Sequence, residues 1–325
     1  MNLAAFIIRR MLAMVVIAFI VATAVFFLAH ASPYDPVRIL LGQHQTPQTV
    51  AMLNSEFGLN KPVTVQYVDY MSNLLHGNLG YSVSQQSLGV PVWDLIQSRL
   101  PVTLKLGAWS LFISLLVGIP IGMLSALKQN SIWDHTGQSV TVVAYVIPAF
   151  VLCPVCQLIF AVDLHWVPVE GWGDGGWTGP LGMIPLGLSL NEMILPVAIF
   201  AAGLAGFFAK SMRSFMLEVL RQDYIRTARA KGLKNRVIVW LHAAKNTLLP
   251  LFSIVGPTIA YLVAGAFIIE FFFAIPGVGW FTAISVEESD YSVIEGTTLL
   301  LVVAVVVVNM LTDISYAMVD PRVRL

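Results

Sequence analysis

The chain is poor in charge. Only 11% of its 325 residues are Asp, Glu, Lys or Arg, against about 25% in an ordinary soluble protein, which excludes a soluble globular domain of the usual kind. Cysteine is scarcer still. Cys153 and Cys156 are the only two, and both lie in one apolar run. A disulfide framework of the secreted type is therefore excluded, and the pair reads as small apolar packing rather than a redox or half-zinc motif. No Gly-Lys-Ser/Thr occurs, so the phosphate-cradling loop that ATP hydrolysis would need is missing. Neither Gly-x-Ser-x-Gly nor His-Glu-x-x-His is present, and the six histidines are scattered. The glycine-rich run Gly171–Gly179 follows no strand and opens no helix, which makes it a loop rather than a dinucleotide site. No internal repeat stands out.

What the chain has in abundance is apolar sequence, 57% of all residues. Six runs, near 11–29, 102–127, 139–162, 193–209, 251–273 and 297–317, are long enough to cross a hydrocarbon core of ~30 Å, which takes about 20 residues. Backbone groups find no water in lipid, so these runs are expected to be helices. The first is longer than a signal-peptide core, and the cleavage-like His30-Ala31-Ser32 after it is weak, so it is read as an uncleaved span. Pro148 and Pro154 predict a kink in the third. Basic residues in short loops set the orientation. With the N-terminus inside, the outer segments hold only Arg38, Lys61, Arg99 and Lys105 of the 18 basic residues. Four charges, Glu192, Lys210, Glu270 and Asp313, sit at span edges rather than at the midplane. This placement argues modestly against an ion-driven carrier.

The segment 31–101 has helix signals of its own. Thr46-Pro47 is a cap followed by proline, with Gly58 to close that helix. Lys61-Pro62 opens a second, whose apolar stripe runs to Gly77. A third, Val92 to Leu100, leads into Pro101 and the second span. The other outer segment, 163–192, carries Trp166, Trp172 and Trp177 and reads as an interfacial loop.

One polar stretch stands apart. Between Lys210 and Lys245 lie nine of the basic residues against Glu218 and Asp223. Within it Asp223 reads as an N-cap, Tyr224 to Lys231 as two helical turns and Gly232 as the residue that ends them, with Tyr224, Ala228 and Lys231 on one face. A second helix starts near Asn235 and runs toward Asn246, and Pro250 opens the next span. Nucleic-acid binding is not supported, because a cytoplasmic loop of a membrane protein is basic by default.

The run Asp223 to Leu233, D-Y-I-R-T-A-R-A-K-G-L, followed by Leu249-Pro250, resembles the cytoplasmic loop of permease subunits of bacterial ABC importers, specifically the dipeptide/oligopeptide branch. Arg226-Thr227-Ala228 stands where the general pattern has Glu-Ala-Ala, as is typical of that branch. Further matches are Phe57 to Pro62, Gly77 to Ser82, Arg99 to Leu104, Gly118 to Gly122, Met212-Arg213-Ser214, Glu270 to Gly279, Asp290-Tyr291 and Asp320 to Val323. Ser32-Pro-Tyr-Asp-Pro36 departs from the family's usual Pro-Gly-Asp-Pro, and 163–192 matches poorly.

The fold so implied is an all-α polytopic membrane protein. Six transmembrane helices have both termini inside, a small helical extracytoplasmic segment follows the first span, and cytoplasmic coupling helices lie between spans four and five. Residues 1–30 would be the first span, 31–101 the outer segment and 102–325 a five-span core with its coupling loop at 211–250. The resemblance further implies the permease half of an ATP-driven peptide importer in the bacterial cytoplasmic membrane. Its partners would be a second, similar permease, two ATPase subunits that bind ATP and Mg, and an extracytoplasmic peptide-binding protein. No catalytic residue, metal or cofactor is expected on this chain. Asp223, Tyr224, Arg226, Thr227, Ala228, Lys231, Gly232, Leu233, Asn246 and Pro250 would form the ATPase-coupling site. Gly256, Pro257, Tyr261, Gly265 and Glu270 interrupt or edge the fifth span and are candidates for the pathway, with Pro276, Gly277 and Gly279 for its outer gate. The same machinery could carry nickel, glutathione or another small solute. On the residues alone, an ion-coupled secondary transporter and a non-transporting scaffold stay open.

Overall fold

Helices cover the apolar runs, each starting several residues before its run. The computed structural model describes residues 3–31, 36–41, 46–84, 86–172 and 190–319. In chain order the helices are α1 (Leu3–His30), α2 (Pro36–Leu41), α3 (Pro47–Glu56), α4 (Val63–Leu75), α5 (Val92–Leu127), α6 (Ile132–Val146), α7 (Ala149–Cys156), α8 (Leu190–Leu220), α9 (Asp223–Ala230), α10 (Asn235–Val237), α11 (Lys245–Phe272), α12 (Val278–Glu287) and α13 (Tyr291–Val319). Gln157–Asp163 and Ile238–Ala244 continue α7 and α10 in π-helical form. Among the described residues five helices are long and apolar enough to cross a membrane, six if the bent pair α6–α7 counts as one span.

The chain divides into two compact units. One comprises residues 1–103 and 276–307, the other 104–275 and 308–325. In the first, Thr46 caps α3: its Oγ1 accepts the Thr49 N–H while the Thr46 N–H reaches the Thr49 Oγ1. This reciprocal cap, with Pro47 behind it, is why the helix starts there. Gly58 and Gly77 then adopt positive φ, as a helix ending at each position requires. Phe26 stacks on His30 and Tyr70, and Phe27 stacks on Tyr67, which lays α4 against α1. The start of α5 buries Val92, Leu95 and Ile96 against Phe281 of α12 and Val293 of α13. A single carboxylate ties the Gly77–Ser84 turn to the start of α13. Asp290 accepts the Ser82 hydroxyl at 2.5 Å and the Val83 and Ser84 N–H groups at 3.1 and 3.2 Å. Burial pushes this carboxyl up from its ordinary range, and the hydrogen bonds pull it partly back.

The second unit is a bundle around α8. Its residues Phe208, Met212 and Met216 are fully buried. Glycines set the close approaches: a Cβ on Gly118 of α5 would lie 2.7 Å from the Ala205 carbonyl oxygen, and one on Gly206 would collide with the Thr141 carbonyl of α6. At the N-terminal end of α6, the fully buried Asp134 receives Arg213 of α8 bidentately, Nε to Oδ1 and Nη2 to Oδ2, both at 2.8 Å. Gln138 Nε2 and the Asn130 N–H complete its bonds.

Several expectations change. The predicted short helix before Pro101 and the second span are one 36-residue helix. Burial of Val92, Leu95 and Ile96 against α12 and α13 offsets the ~3 kcal/mol that an interior proline costs. The kink at Pro148 is a 98° break, with Ile147 extended at φ −72°, ψ 120°. The fourth span does not end at Ala209 but runs on through Lys210 and Arg213 to Leu220. Most of the Trp172–Trp177 loop, the Asp320–Val323 match and the Asp313 side chain lie outside the described residues. Cys153 is buried, and both cysteines are unbridged.

Candidate functional site

Two features of the second unit meet on α11. The first is the polar loop. Its helix α9 is capped by Gln222, in extended conformation, and not by Asp223, which is the first helical residue. Asp223 instead offers its carboxylate to Arg226, 3.4 Å away on the exposed face. The C-terminus closes with two bonds, Gly232 N–H to the Arg229 carbonyl at 3.0 Å and Leu233 N–H to the Ala228 carbonyl at 3.3 Å. That paired geometry needs a left-handed residue between the bonds, and Gly232 supplies it at φ 75°.

Burial divides the helix into two faces. Ile225 and Ala228 are turned inward, whereas Asp223, Tyr224, Arg226, Thr227, Lys231, Gly232 and Leu233 are exposed. Ala228 therefore belongs to the anchoring face and does not share the outer one with Tyr224 and Lys231. Its small side chain lets α9 settle on the π-helical stretch Ile238–Ala244. The far end of the loop is also pinned, because Asn246 Nδ2 donates to the Tyr224 hydroxyl at 3.0 Å and to the His242 carbonyl at 2.8 Å. Pro250 does not open the span. It sits inside α11, which begins at Lys245.

The second feature is a cavity of about 730 Å³ among α6, α7, α8 and α11. Ile147, Pro148 and Leu152 line it at the break between α6 and α7, Phe200, Gly203 and Phe207 line it from α8, and Pro257, Thr258 and Tyr261 from α11. Tyr145 stacks near Phe207 at its edge, with ring centroids 6.1 Å apart. Among the described residues the lining holds no charged side chain, and its polar side chains are hydroxyls.

Of the pathway residues expected from the sequence, Pro257 and Tyr261 reach this cavity. Gly256 does not. It lies against α13, where a Cβ would collide with Thr312. The fully buried Glu270 lies further along α11 and is not in the lining, and the surroundings of Gly265 lie outside the described residues. Pro276, Gly277 and Gly279 belong to the other unit, at the start of α12, where the Val278 N–H donates to Thr103 Oγ1 at 2.9 Å. Tyr145, Phe207 and Thr258 were not anticipated. The legible signal for that wall was the Pro148 break, since non-helical backbone at membrane depth is tolerated where it is buried in protein or lines a cavity.

A family model described as "Binding-protein-dependent transport system inner membrane component" matches residues 118–325, and its N-terminal companion matches residues 3–107. The oligopeptide transport system permease protein OppB of Escherichia coli K12 is 36% identical over 322 residues, covering 98% of this chain and 99% of that protein. The dipeptide transport system permease protein DppB of the same organism is 35% identical over 347 residues, covering 98% of each. Among solved structures, an inward-facing MetNI methionine ABC transporter chain superposes with a TM-score of 0.56 at 18% identity, covering 72% of this chain and all of that one, which is likeness of fold. The chain is a multi-pass inner-membrane protein and belongs to the binding-protein-dependent transport system inner membrane component family.

Proposed function

We propose that this chain is the permease half of an ATP-driven importer that moves peptides inward across the bacterial cytoplasmic membrane by alternating access. Both termini and α9 face the cytoplasm. The exposed face of α9 docks on one of two separate ATPase subunits, which supply ATP and Mg, and a second, similar permease completes the pore. An extracytoplasmic binding protein delivers the peptide. The observation that carries this reading is the continuous connection from α9 to the cavity wall. The loop is pinned to the root of α11 by Asn246 and Tyr224, and the same helix presents Pro257 and Tyr261 to the cavity. Displacing a docked α9 would move that wall. A swing from 1:99 to 99:1 between two pore states needs about 5.5 kcal/mol of differential binding, which closure of the ATPases on ATP can supply.

The peptide assignment rests on the names of the relatives, and the cavity is compatible with it. Its hydroxyl-bearing, uncharged lining offers adaptable hydrogen bonds without selecting side-chain charge, which leaves selection to the binding protein.

The test is reconstitution with copurifying partners, measuring ATP hydrolysis and peptide uptake together. Gly232→Pro forbids the positive φ that ends α9, and Arg226→Glu reverses a charge on its exposed face. Either variant should lose at least tenfold in uptake while the complex still inserts and hydrolyses ATP. Unchanged uptake in both variants would sink the docking reading.

A further inference from the structure

A second cleft, of about 560 Å³, opens among α5, α6 and α8 at the end of the bundle from which α9 departs. It has no part in the cavity described above. One face of α8 makes its main wall: Lys210, Arg213, Ser214 and Leu217 line it at the helical spacing that stacks side chains in one stripe, and Arg221, in the turn just past the end of the helix, lines it as well. Arg213 is neutralised, since its Nε and Nη2 are both committed to the buried Asp134. Lys210 and Arg221 have no acidic partner among the described residues, and the one carboxylate of the lining is Glu218. Set against Glu218, this leaves one positive charge in excess, at the two ends of a stripe about 16 Å long. The floor is apolar, formed by Ile121, Val142 and Leu217, and Gln138 and Ser125 add hydrogen-bonding groups.

The depth of this cleft follows from α6. Ile132 and Trp133 at its start are 68% and 63% exposed, and the Lys128 ammonium lies 5.0 Å from the Trp133 ring centroid. An exposed tryptophan and a lysine beside the end of a span mark the headgroup layer. Gln138 stands five residues further along, about 7 Å by helical rise. The cleft therefore presents Lys210 near headgroup depth, with Ile121 and Val142 toward the acyl region and Arg221 about 12 Å beyond Arg213 on the outer side.

We propose that this cleft binds a phosphate-bearing anion at its Lys210 end, with Arg221 adding positive charge at the mouth, and that the phosphate is the headgroup of an anionic phospholipid of the cytoplasmic leaflet. A free phosphate would gain nothing from the apolar floor. Arg213 and Asp134 set the register of the wall and are not ligands.

The full-length chain, purified with its accompanying subunits and delipidated, is examined by native mass spectrometry with phosphatidylglycerol or phosphatidylcholine. The wild type should retain phosphatidylglycerol preferentially. Lys210→Gln and Arg221→Gln should each weaken that retention roughly fivefold, the usual worth of a basic side chain near an anionic lipid surface, while Glu218→Gln should strengthen it. Both cations are exposed, so these variants keep the fold. Soluble glycerophosphoglycerol and inorganic phosphate serve as competitors. If either displaces the lipid at equal concentration, the source is a soluble phosphate and the lipid assignment falls. If the double variant keeps the wild-type preference, the cleft is not the site. If it instead sheds accompanying subunits at unchanged lipid retention, the cations serve a protein contact and the proposal is overturned.

Discussion

Two walls of the central cavity treat proline in opposite ways. On one side α6 and α7 meet at Pro148 in a 98° break. On the other, α11 passes through Pro250 and Pro257 without interruption. Elsewhere Pro101 and Pro120 lie within α5, Pro154 within α7 and Pro196 within α8. Proline removes one hydrogen bond and disfavours a helical predecessor, but in this molecule that is not sufficient to break a helix. The residue before it does not decide either, since Leu100, Ile119, Leu195 and Leu249 all stay helical ahead of a proline. What distinguishes Pro148 is its anchoring. The N-terminal end of α6 is held to α8 by Asp134 and Arg213. The end of α7 is held to α11, where Gln157 Nε2 donates to the Phe272 carbonyl at 2.8 Å. The two halves are fastened to different helices, and the proline marks where the chain turns between them.

If tertiary anchors make the break, their removal should cost more than any change at the prolines. Asp134→Ala has the largest expected effect. It strands Arg213 and frees the Asn130 N–H and Gln138, and removing one partner of a buried pair costs about 3–5 kcal/mol. Thermal unfolding of the detergent-solubilised chain should show it, and the double variant Asp134→Leu with Arg213→Met should recover most of the loss. A smaller effect is expected from Gly206→Val. The added side chain has to displace the Thr141 backbone, and overpacking of this kind costs about 1–3 kcal/mol. If Gly206→Val proved harmless, the close seating of α6 on α8 would not be what holds the half-span in place.

What the sequence disclosed follows from the range of each signal. Thr46-Pro47, Gly58, Gly77 and Gly232 were legible because a helix end is decided within a few residues. The extension of α8 past Ala209 was hidden, because hydropathy stops at Lys210 while hydrogen bonding does not. The pair Asp134–Arg213 spans 79 positions and leaves no local trace. The two faces of α9 were missed for a related reason. Ala228 was read with the outer residues, although its burial depends on a π-helical segment ten residues downstream. The cavity lining was the least legible. Apolar runs such as 193–209 of α8 are apolar all round, so periodicity does not say which face turns inward. Tyr261 and Pro257 drew notice as interruptions of an apolar run, whereas Phe207 and Thr258 interrupt nothing.

The smallest expected effects come from the prolines themselves, and they separate the two walls most sharply. Pro257→Ala restores a donor inside a helix that already runs unbroken, so stability should stay within about 1 kcal/mol of wild type. Pro148→Ala should also change stability by less than that, because Ile147 at φ −72°, ψ 120° lies in a region open to any residue. The shape of the half-spans is the better readout. Spin labels at Val140 and Val155, both exposed, would stand about 22 Å apart between Cα atoms on a continuous helix. The bend holds them closer than that. With alanine at 148 and the anchors intact, the measured distance should stay at its wild-type value, and it should lengthen only when Asp134→Ala is added. A lengthening in Pro148→Ala alone would mean that the proline dictates the break, and the difference between the walls would then reduce to local chain chemistry.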